Sequence, residues 1–209
     1  WMQSFYDGGW ISPVLSDGTP NYSLFNKKIA EAVYYATLPG VSGIHLDYLR
    51  FPGTAYKYTG GTAAINEFVK LVSNAVRGNN SNIILSAAVM PEKSSNTYYY
   101  GQDITVLGKY LDVIVPMVYK GNYNAGTSWI SSTTKWFVEN SQGAQIWVGL
   151  QTYKSDSDTS LLSKTELASD AQAVINAGAT GVVMFRFGLS NLIDFNTLVY
   201  PSAVSYTHL

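Results

Sequence analysis

The sequence lacks cysteine and is poor in histidine, with only His45 and His208. The absence of cysteine excludes disulfides, thiolate metal sites and a cysteine nucleophile. Two histidines are too few for a metal site built from several imidazoles. Any chemistry must therefore rest on carboxylates, hydroxyls, amides and basic side chains, and we expect neither a metal ion nor a cofactor.

Charge is scarce as well, since 13% of the 209 residues are charged and the net charge is −1. Without a basic stripe, nucleic acid is a poor candidate partner. The sequence contains no apolar run of about 18 residues, so it predicts no membrane-spanning helix. No signal peptide is recognisable either. The sequence leaves the oligomeric state open.

Aromatic residues, in contrast, are abundant, with 16 tyrosines and 5 tryptophans. Aromatic rings among Asn, Ser and Thr side chains suit sugars, which have apolar faces and hydroxyl edges. The alternative is a neutral extracellular surface kept soluble by Tyr, Ser and Thr, and composition alone slightly favours it. Both interpretations, together with Asn-x-Ser patterns at Asn21 and Asn79, favour a secreted or cell-surface protein.

The two ends of the sequence are irregular. Trp1 stands where an initiator methionine would, which indicates a cut amino end. Residues 202–209 fit no element and resemble translated sequencing-adapter read-through. We therefore expect one barrel domain over residues 1–201 and a non-native tail over 202–209.

Short apolar runs alternate with segments of helical spacing along the chain. The apolar runs predict strands over residues 1–5, 43–47, 83–89, 113–118, 145–150 and 181–185. Helical spacing covers residues 24–38, 63–77, 103–111, 129–140, 164–177 and 190–199, with Ser23 and Thr62 as caps of the first two. This alternation indicates a parallel sheet with helical crossovers.

Two observations favour a barrel over an open, doubly wound sheet. Every predicted strand is followed by polar or aromatic residues, and no glycine-rich phosphate turn follows any strand. A complete eight-fold barrel of strands and helices usually needs about 250 residues. The sequence therefore predicts an incomplete (β/α)8 barrel of about six units, short of two units at the amino end.

A carboxylate closes one of the buried strands. In the segment 43–52, Ile44 and Leu46 fall on one face of an extended chain, whereas His45 and Asp47 fall on the other. An aspartate at the end of a buried strand is costly unless it is paired, and Arg50 is a near cation. The carboxyl ends of barrel strands form the active face. The alternative is a structural salt bridge or helix cap.

A second acid follows the next strand. Glu92 shares parity with Ser86, Ala88 and Met90, so it is expected to project toward the barrel axis. Two acids at neighbouring strand ends are the pair that a glycosidase needs: one attacks the anomeric carbon and the other protonates the leaving oxygen. The alternative for Glu92 is an exposed acid paired with Lys93.

Polar residues also end the later strands. Tyr119 could orient a carboxylate or stack on a sugar, Gln151 could bond hydroxyls, and Arg186 could neutralise a carboxylate. A core tyrosine or a structural arginine would be the ordinary explanation. Asp7 is a third acid in a turn-like context, and Asp112 precedes its strand and is expected on the opposite, stabilising face.

Several motifs resemble, in order, those of glycoside-hydrolase-like barrel families. They are Gly43-Ile44-His45-Leu46-Asp47-Tyr48-Leu49-Arg50-Phe51-Pro52, Ala88-Val89-Met90-Pro91-Glu92, Asp112-Val113-Ile114-Val115-Pro116-Met117-Val118-Tyr119, Gly149-Leu150-Gln151-Thr152-Tyr153 and Gly181-Val182-Val183-Met184-Phe185-Arg186. The resemblance covers roughly residues 1–198. It implies a nucleophile at Asp47, an acid/base at Glu92, and His45, Tyr48 and Arg50 near the substrate. Chitinase-like barrels carry an acid where this chain has Leu49, which argues against their substrate-assisted mechanism.

Two functions follow as hypotheses. The first is a retaining glycoside hydrolase of a polysaccharide or cell-wall glycan, with Asp47 held by Arg50 and Tyr119, and with carboxyls about 5–5.5 Å apart. The second is a carbohydrate-binding or structural barrel without turnover, which would use the tyrosines of residues 56–58 and 98–100. A metal-dependent deacetylase or an esterase is a weak hypothesis, because histidines are few and no Gly-x-Ser-x-Gly elbow occurs.

Overall fold

A curved parallel sheet organises the chain. The computed structural model describes residues 5–6 and 9–201, with side chains from residue 11 onward. Five parallel strands pair in the order β3-β4-β5-β6-β9 and form a half-barrel whose edges are β3 and β9. Their bounds are β3 Gly43–Leu46, β4 Ile84–Val89, β5 Val113–Val118, β6 Gln145–Gln151 and β9 Gly181–Phe185. The expected α/β barrel-type fold is therefore confirmed as a half-barrel.

Two antiparallel hairpins accompany the sheet. The strands β1 Phe5–Tyr6 and β2 Gly9–Trp10 form the first, and β7 Tyr153–Ser155 and β8 Asp158–Leu161 form the second. The strand predicted over residues 1–5 falls outside the described residues apart from Phe5, and Asp7 falls outside them as well.

One helix precedes the first parallel strand, and the others lie between successive parallel strands. Their bounds are α1 Tyr22–Ala36, α2 Gly61–Asn79, α3 Ser95–Tyr100, α4 Ile104–Leu107, α5 Thr127–Asn140 and α6 Lys164–Asn176. Single 3-10 turns occupy Ala55–Lys57 and Phe195–Thr197. None of the helices in the described ranges combines the length and the apolar character that a membrane crossing requires.

The outer face of the sheet and the inner faces of the helices share one core. Alternate strand residues such as Leu85, Ile114 and Val148 are fully buried there. Helix α2 contributes side chains at three- and four-residue spacing, with Ile65, Val69, Val72 and Val76 fully buried and Phe68 nearly so. Side-chain direction repeats every two residues along a strand and about every 3.6 along a helix, which explains which residues of each element are buried.

The other parity of each strand points into the concave side. His45 pairs in register with Ser86, and Ala88 pairs with Val115. Gly149 leaves room on this side, because a Cβ there would lie 3.3 Å from the Pro116 carbonyl and 3.5 Å from the Tyr119 ring. The expected alternation of Ile44 and Leu46 against His45 and Asp47 is thereby confirmed.

Two predicted helix caps are wrong. Helix α1 begins at Tyr22, and the Asn21 side chain, not Ser23, accepts the hydrogen bond from the Leu24 amide at 3.2 Å. Asn21 also donates to the Ser12 carbonyl, which fixes it at the helix start. Helix α2 begins after Gly60, whose φ of 76° belongs to the left-handed region, and Thr62 donates to the Thr97 carbonyl instead of capping.

The structure differs from the predicted elements at three further places. The triple tyrosine 98–100 belongs to helix α3, which Gly101 ends with a φ of 73°. The β7–β8 hairpin had no counterpart among the predicted elements. The helix expected over residues 190–199 is reduced to one 3-10 turn, since Gln172 on α6 bonds both backbone polar groups of Val199 and holds that segment against the helix.

Asp112 lies at the amino-terminal rim, as expected. Its Oδ1 pairs with Arg77 at 3.0 Å, and its Oδ2 accepts the Leu85 amide at 2.7 Å. The carboxylate therefore joins helix α2 to the start of the sheet, on the rim opposite to Asp47.

Candidate active site

A cavity of about 910 Å3 opens on the concave side, and we call it the strand-end cavity. Strand residues from all five parallel strands line it: His45, Ser86, Ala88, Val115, Met117, Trp147, Gly149, Val183 and Phe185. The segments that follow the strands add Asp47, Tyr48, Arg50, Met90, Tyr119, Asn122, Tyr123, Tyr153, Asp156 and Arg186. Its polar groups therefore cluster at the carboxyl ends of the strands, which form the active face of barrel enzymes.

Asp47 reaches the cavity directly after β3. Its Oδ1 accepts the backbone amide of Tyr48 at 2.8 Å, and Tyr48 adopts a φ of 54°. The residue is exposed, and within the described part of the chain it forms no ion pair. The carboxylate thus faces the cavity without a neutralising cation against it.

Arg50 contacts rings rather than Asp47. Its guanidinium carbon lies 4.7 Å from the centroid of the Tyr48 ring and 6.0 Å from that of the Tyr100 ring. Its Nε is buried without an acceptor. A cation over an aromatic face is attracted by the ring quadrupole, which explains why the guanidinium stays beside the tyrosines.

Glu92 is held by two tyrosine hydroxyls. Its Oε1 accepts from Tyr100 at 2.9 Å and from Tyr123 at 2.6 Å, whereas its Oε2 is buried and has no partner among the described residues. Burial and the Glu92 carboxylate raise the pKa of Tyr100 to about 12. Burial first, and then Glu92, raise the pKa of Tyr123 as well, so both hydroxyls remain donors at neutral pH.

Glu92 does not itself line the strand-end cavity. The expected parity stops at Met90, because β4 ends at Val89 and the chain turns through Pro91 to Lys93, whose φ is 58°. Tyr123 is the contact between Glu92 and the cavity wall. The described residues show no ion pair between Glu92 and Lys93, so the alternative of an exposed pair finds no support.

Gln102 ties the two strand ends together. This fully buried residue donates from Nε2 to the Leu49 carbonyl at 2.9 Å and accepts the Met90 amide on Oε1 at 2.9 Å. It therefore links the segments that carry Asp47 and Glu92. No pattern in the sequence singled out this glutamine, because it lies in a short loop between two helices.

His45 and Tyr119 flank Asp47. His45 Nδ1 lies 2.9 Å from the Ser86 hydroxyl, and burial lowers the pKa of the imidazole, against the opposing effect of Asp47. The Tyr119 ring stacks on Phe185 with centroids 5.1 Å apart. Burial, followed by Asp47, raises the pKa of Tyr119, which keeps its hydroxyl protonated near that carboxylate.

Of the two remaining candidates, Gln151 and Arg186, only Arg186 lines the cavity. Gln151 is 2% exposed, and its Nε2 donates to the Asn122 side chain at 3.1 Å. It supports a cavity residue from behind. The exposed Arg186 follows β9, and its amide donates to the Thr152 hydroxyl at 3.0 Å.

Sequence reasoning missed a third acid, Asp156, in the turn of the β7–β8 hairpin. Its Oδ1 accepts from the Tyr153 hydroxyl and its Oδ2 from the Asn122 amide, each at 2.9 Å. Asn122 and Tyr123 were missed as well, although a loop that follows a barrel strand is where such residues are expected. The residues around Asp156 are polar and exposed, so the sequence carried no signal for it.

Candidate metal ligands are sparse in the part of the chain that the structure covers. There, no group of three or more His, Cys, Asp or Glu side chains could hold a metal ion. The arrangement can instead offer carboxylates, protonated tyrosines and a cation to a neutral, hydroxyl-rich ligand.

The fold defines a half-barrel of glycosidase type. It is similar to a class V chitinase from Pseudomonas fluorescens Pf-5, with a TM-score of 0.65 and 18% identity over 82% of this chain and 70% of that one. It is also similar to the bee venom hyaluronidase solved with a hyaluronic acid tetramer, with a TM-score of 0.52 and 12% identity over 85% of this chain and 72% of that one. At these identities the likeness concerns the fold alone.

A third similar structure is the glycoside hydrolase domain of PgaB (BpsB) from Bordetella bronchiseptica, with a TM-score of 0.51 and 10% identity. The match covers 80% of this chain, which spans 41% of the length of that structure. No curated protein sequence matches the chain.

The family itself is shown by sequence. Residues 10–142 match the model of the family DUF4015, which is described as a "Putative glycosyl hydrolase domain". The protein belongs to this family, as the ordered motifs around Asp47 and Glu92 had indicated.

Proposed function

We propose that the protein is a retaining glycoside hydrolase that acts on a polysaccharide or cell-wall glycan, at the cell surface or outside the cell. The observation that carries the proposal is the Asp47 carboxylate in the strand-end cavity, which has no ion-pair partner among the described residues and lies one strand away from the tyrosine-bound Glu92. The family of the chain supports the same reaction class.

In the proposed reaction the Asp47 carboxylate attacks the anomeric carbon, and the bond to the leaving oxygen breaks as Glu92 donates its proton to that oxygen. Water then attacks the same carbon, Glu92 accepts its proton, and the Asp47 ester bond breaks. The sugar therefore keeps its anomeric configuration. The Tyr119 hydroxyl orients the nucleophile, and Arg50 and His45 form the adjoining wall.

Both donors on the Glu92 carboxylate use Oε1, so the proton in this proposal is carried by Oε2, which is buried and has to reach the cavity past Tyr123. Asp156 is the competing acid/base, since it lines the cavity itself. A comparison of Glu92→Gln with Asp156→Asn decides between them. The true acid/base variant loses turnover of a glycoside with a poor leaving group far more than that of an activated aryl glycoside, because an activated group needs no proton.

The direct test is Asp47→Asn, assayed with the unsubstituted chain on a panel of β- and α-linked polysaccharides and peptidoglycan. The proposal expects hydrolysis of at least one glycan and its loss in the variant. Unchanged turnover in the variant contradicts the assignment of the nucleophile.

A further inference from the structure

Four tyrosines outside the strand-end cavity surround a second depression. Tyr56, Tyr58 and Tyr98 line a groove of about 290 Å3 between the 3-10 turn Ala55–Lys57, the start of α2 and helix α3, and Tyr99 packs beside them. The four rings are 40% to 56% exposed. We call this surface the tyrosine groove.

The rings of the groove are held in place by other rings. Tyr98 stacks on Tyr56 with centroids 4.8 Å apart and planes within 4°, and Tyr99 meets both edge-on. Tyr58 stacks on the fully buried Phe51 at 5.1 Å. A ligand would therefore meet a surface that is already ordered, which lowers the entropic cost of binding.

The rest of the groove is small, polar and uncharged. Gly60, Gly61, Thr62 and Thr97 line it, and the aliphatic residues among its described lining are alanines. The nearby cation is Lys57, 5.8 Å from the Tyr56 ring centroid. Single-stranded nucleic acid also stacks on aromatic rings, but it is bound in strongly basic grooves. Protein interfaces are also rich in tyrosine, but they add Met and Arg, and neither is among the described residues that line the groove.

Helix α3 links the groove to the candidate active site. Tyr98 and Tyr99 precede Tyr100 on helix α3, and Tyr100 donates to Glu92 and lies under the Arg50 guanidinium. We propose that the tyrosine groove binds a segment of a polysaccharide outside the strand-end cavity, with sugar faces on the tyrosine rings and sugar hydroxyls toward the threonines. This function is binding, and it goes beyond the hydrolysis proposed above.

The test measures binding without turnover. The full chain carrying Asp47→Asn is run in native gels that contain glycol chitin, hydroxyethyl cellulose or xylan, and is sedimented with insoluble peptidoglycan. At least one glycan is expected to retard or sediment the protein. Adding Tyr56→Ala and Tyr98→Ala is expected to weaken that binding about tenfold, as the loss of ring contacts predicts.

Two variants control the experiment. Tyr98→Phe keeps the ring and is expected to retain most of the affinity. Tyr34→Ala removes a tyrosine that is 60% exposed on helix α1, outside the groove, and is expected to leave binding unchanged. Circular dichroism and urea unfolding check that each variant folds, and Tyr56→Ala alone replaces the double variant if that one does not.

Absence of glycan binding in the Asp47→Asn chain overturns the proposal, as does equal binding by the groove variants and their parent. An equal loss in Tyr34→Ala overturns it too. Hydrolysis with intact binding in the groove variants refutes the groove while leaving the hydrolase standing. Groove-dependent binding without hydrolysis of any glycan by the unsubstituted chain supports the groove and contradicts the proposed hydrolase.

Discussion

Asp47 and Asp112 flank strands of the same sheet but lie on opposite rims, and their surroundings differ. Asp112 pairs with Arg77 and accepts the amide of the buried Leu85. Asp47 accepts only the adjacent Tyr48 amide among the hydrogen bonds of the described residues, and its side chain faces a cavity. The carboxylate at the amino-terminal rim thus joins structural elements, whereas the one at the carboxyl-terminal rim remains accessible from the cavity.

The comparison predicts its largest effect for Asp47→Asn. Turnover is expected to fall at least about 1,000-fold, because the nucleophile is lost. The free energy of unfolding should change by less than about 0.5 kcal/mol, since an asparagine oxygen can still accept the Tyr48 amide. Steady-state kinetics and urea unfolding measure the two quantities, and a strongly destabilised variant would give Asp47 the structural role instead.

Asp112→Ala is the mirror experiment. It leaves the buried Leu85 amide without its side-chain acceptor, which costs about 1–3 kcal/mol of unfolding free energy. The half-exposed ion pair with Arg77 adds less than about 1 kcal/mol. Turnover at a temperature where the variant is folded should match the parent, so a large loss of turnover there would break the contrast between the rims.

Tyr123→Phe tests a single hydrogen bond at the carboxyl-terminal rim. It removes one of the two donors to Glu92 while it keeps the ring stacked on Trp129. A fall of about tenfold in kcat is expected from the loss of one hydrogen bond to a charged group, with an altered pH profile of kcat. Tyr99→Phe is the control, because the Tyr99 ring packs against that of Tyr100, the other donor, with centroids 6.2 Å apart, but makes no hydrogen bond to Glu92 in the described structure. Equal effects of both variants would remove Tyr123 from the site.

The smallest expected effect concerns His45. Burial lowers the pKa of its imidazole in the folded state, so the unfolded chain binds the proton more readily. Stability is therefore complete above the unfolded pKa of about 6.5 and falls as the pH drops below that value, down to the lowered folded pKa. Urea unfolding at pH 7 and pH 5 should show a smaller acid loss for His45→Gln than for the parent, and an equal loss would contradict this.

The strands were predictable from local sequence patterns. The bounds of β5 and β9 agree with the apolar runs 113–118 and 181–185, and the alternation along β3 put His45 and Asp47 on the concave side. Both results follow from a side-chain period of two and from continuous apolar runs, which are local properties of the strands.

The loops were predictable only in part, because tertiary contacts decide them. Asp156 sits in a hairpin whose strand β8 is exposed throughout, so no hydrophobic pattern marked it. Glu92 follows β4 in the sequence motif, but its side chain no longer obeys the alternation of that strand, which ends at Val89. Its partners come from separate elements, Tyr100 from helix α3 and Tyr123 from the loop after β5. Gln151 had the expected position, yet its side chain turned to Asn122.

The most direct measurement is to trap the covalent intermediate. A 2-deoxy-2-fluoro glycoside of the sugar identified by the glycan panel is incubated with the protein, and the labelled peptide is sequenced by mass spectrometry. We expect the mass of one sugar on the peptide that contains Asp47, and no label in Asp47→Asn. Stoichiometric label on Glu92 or Asp156, or product of inverted anomeric configuration, would contradict the account.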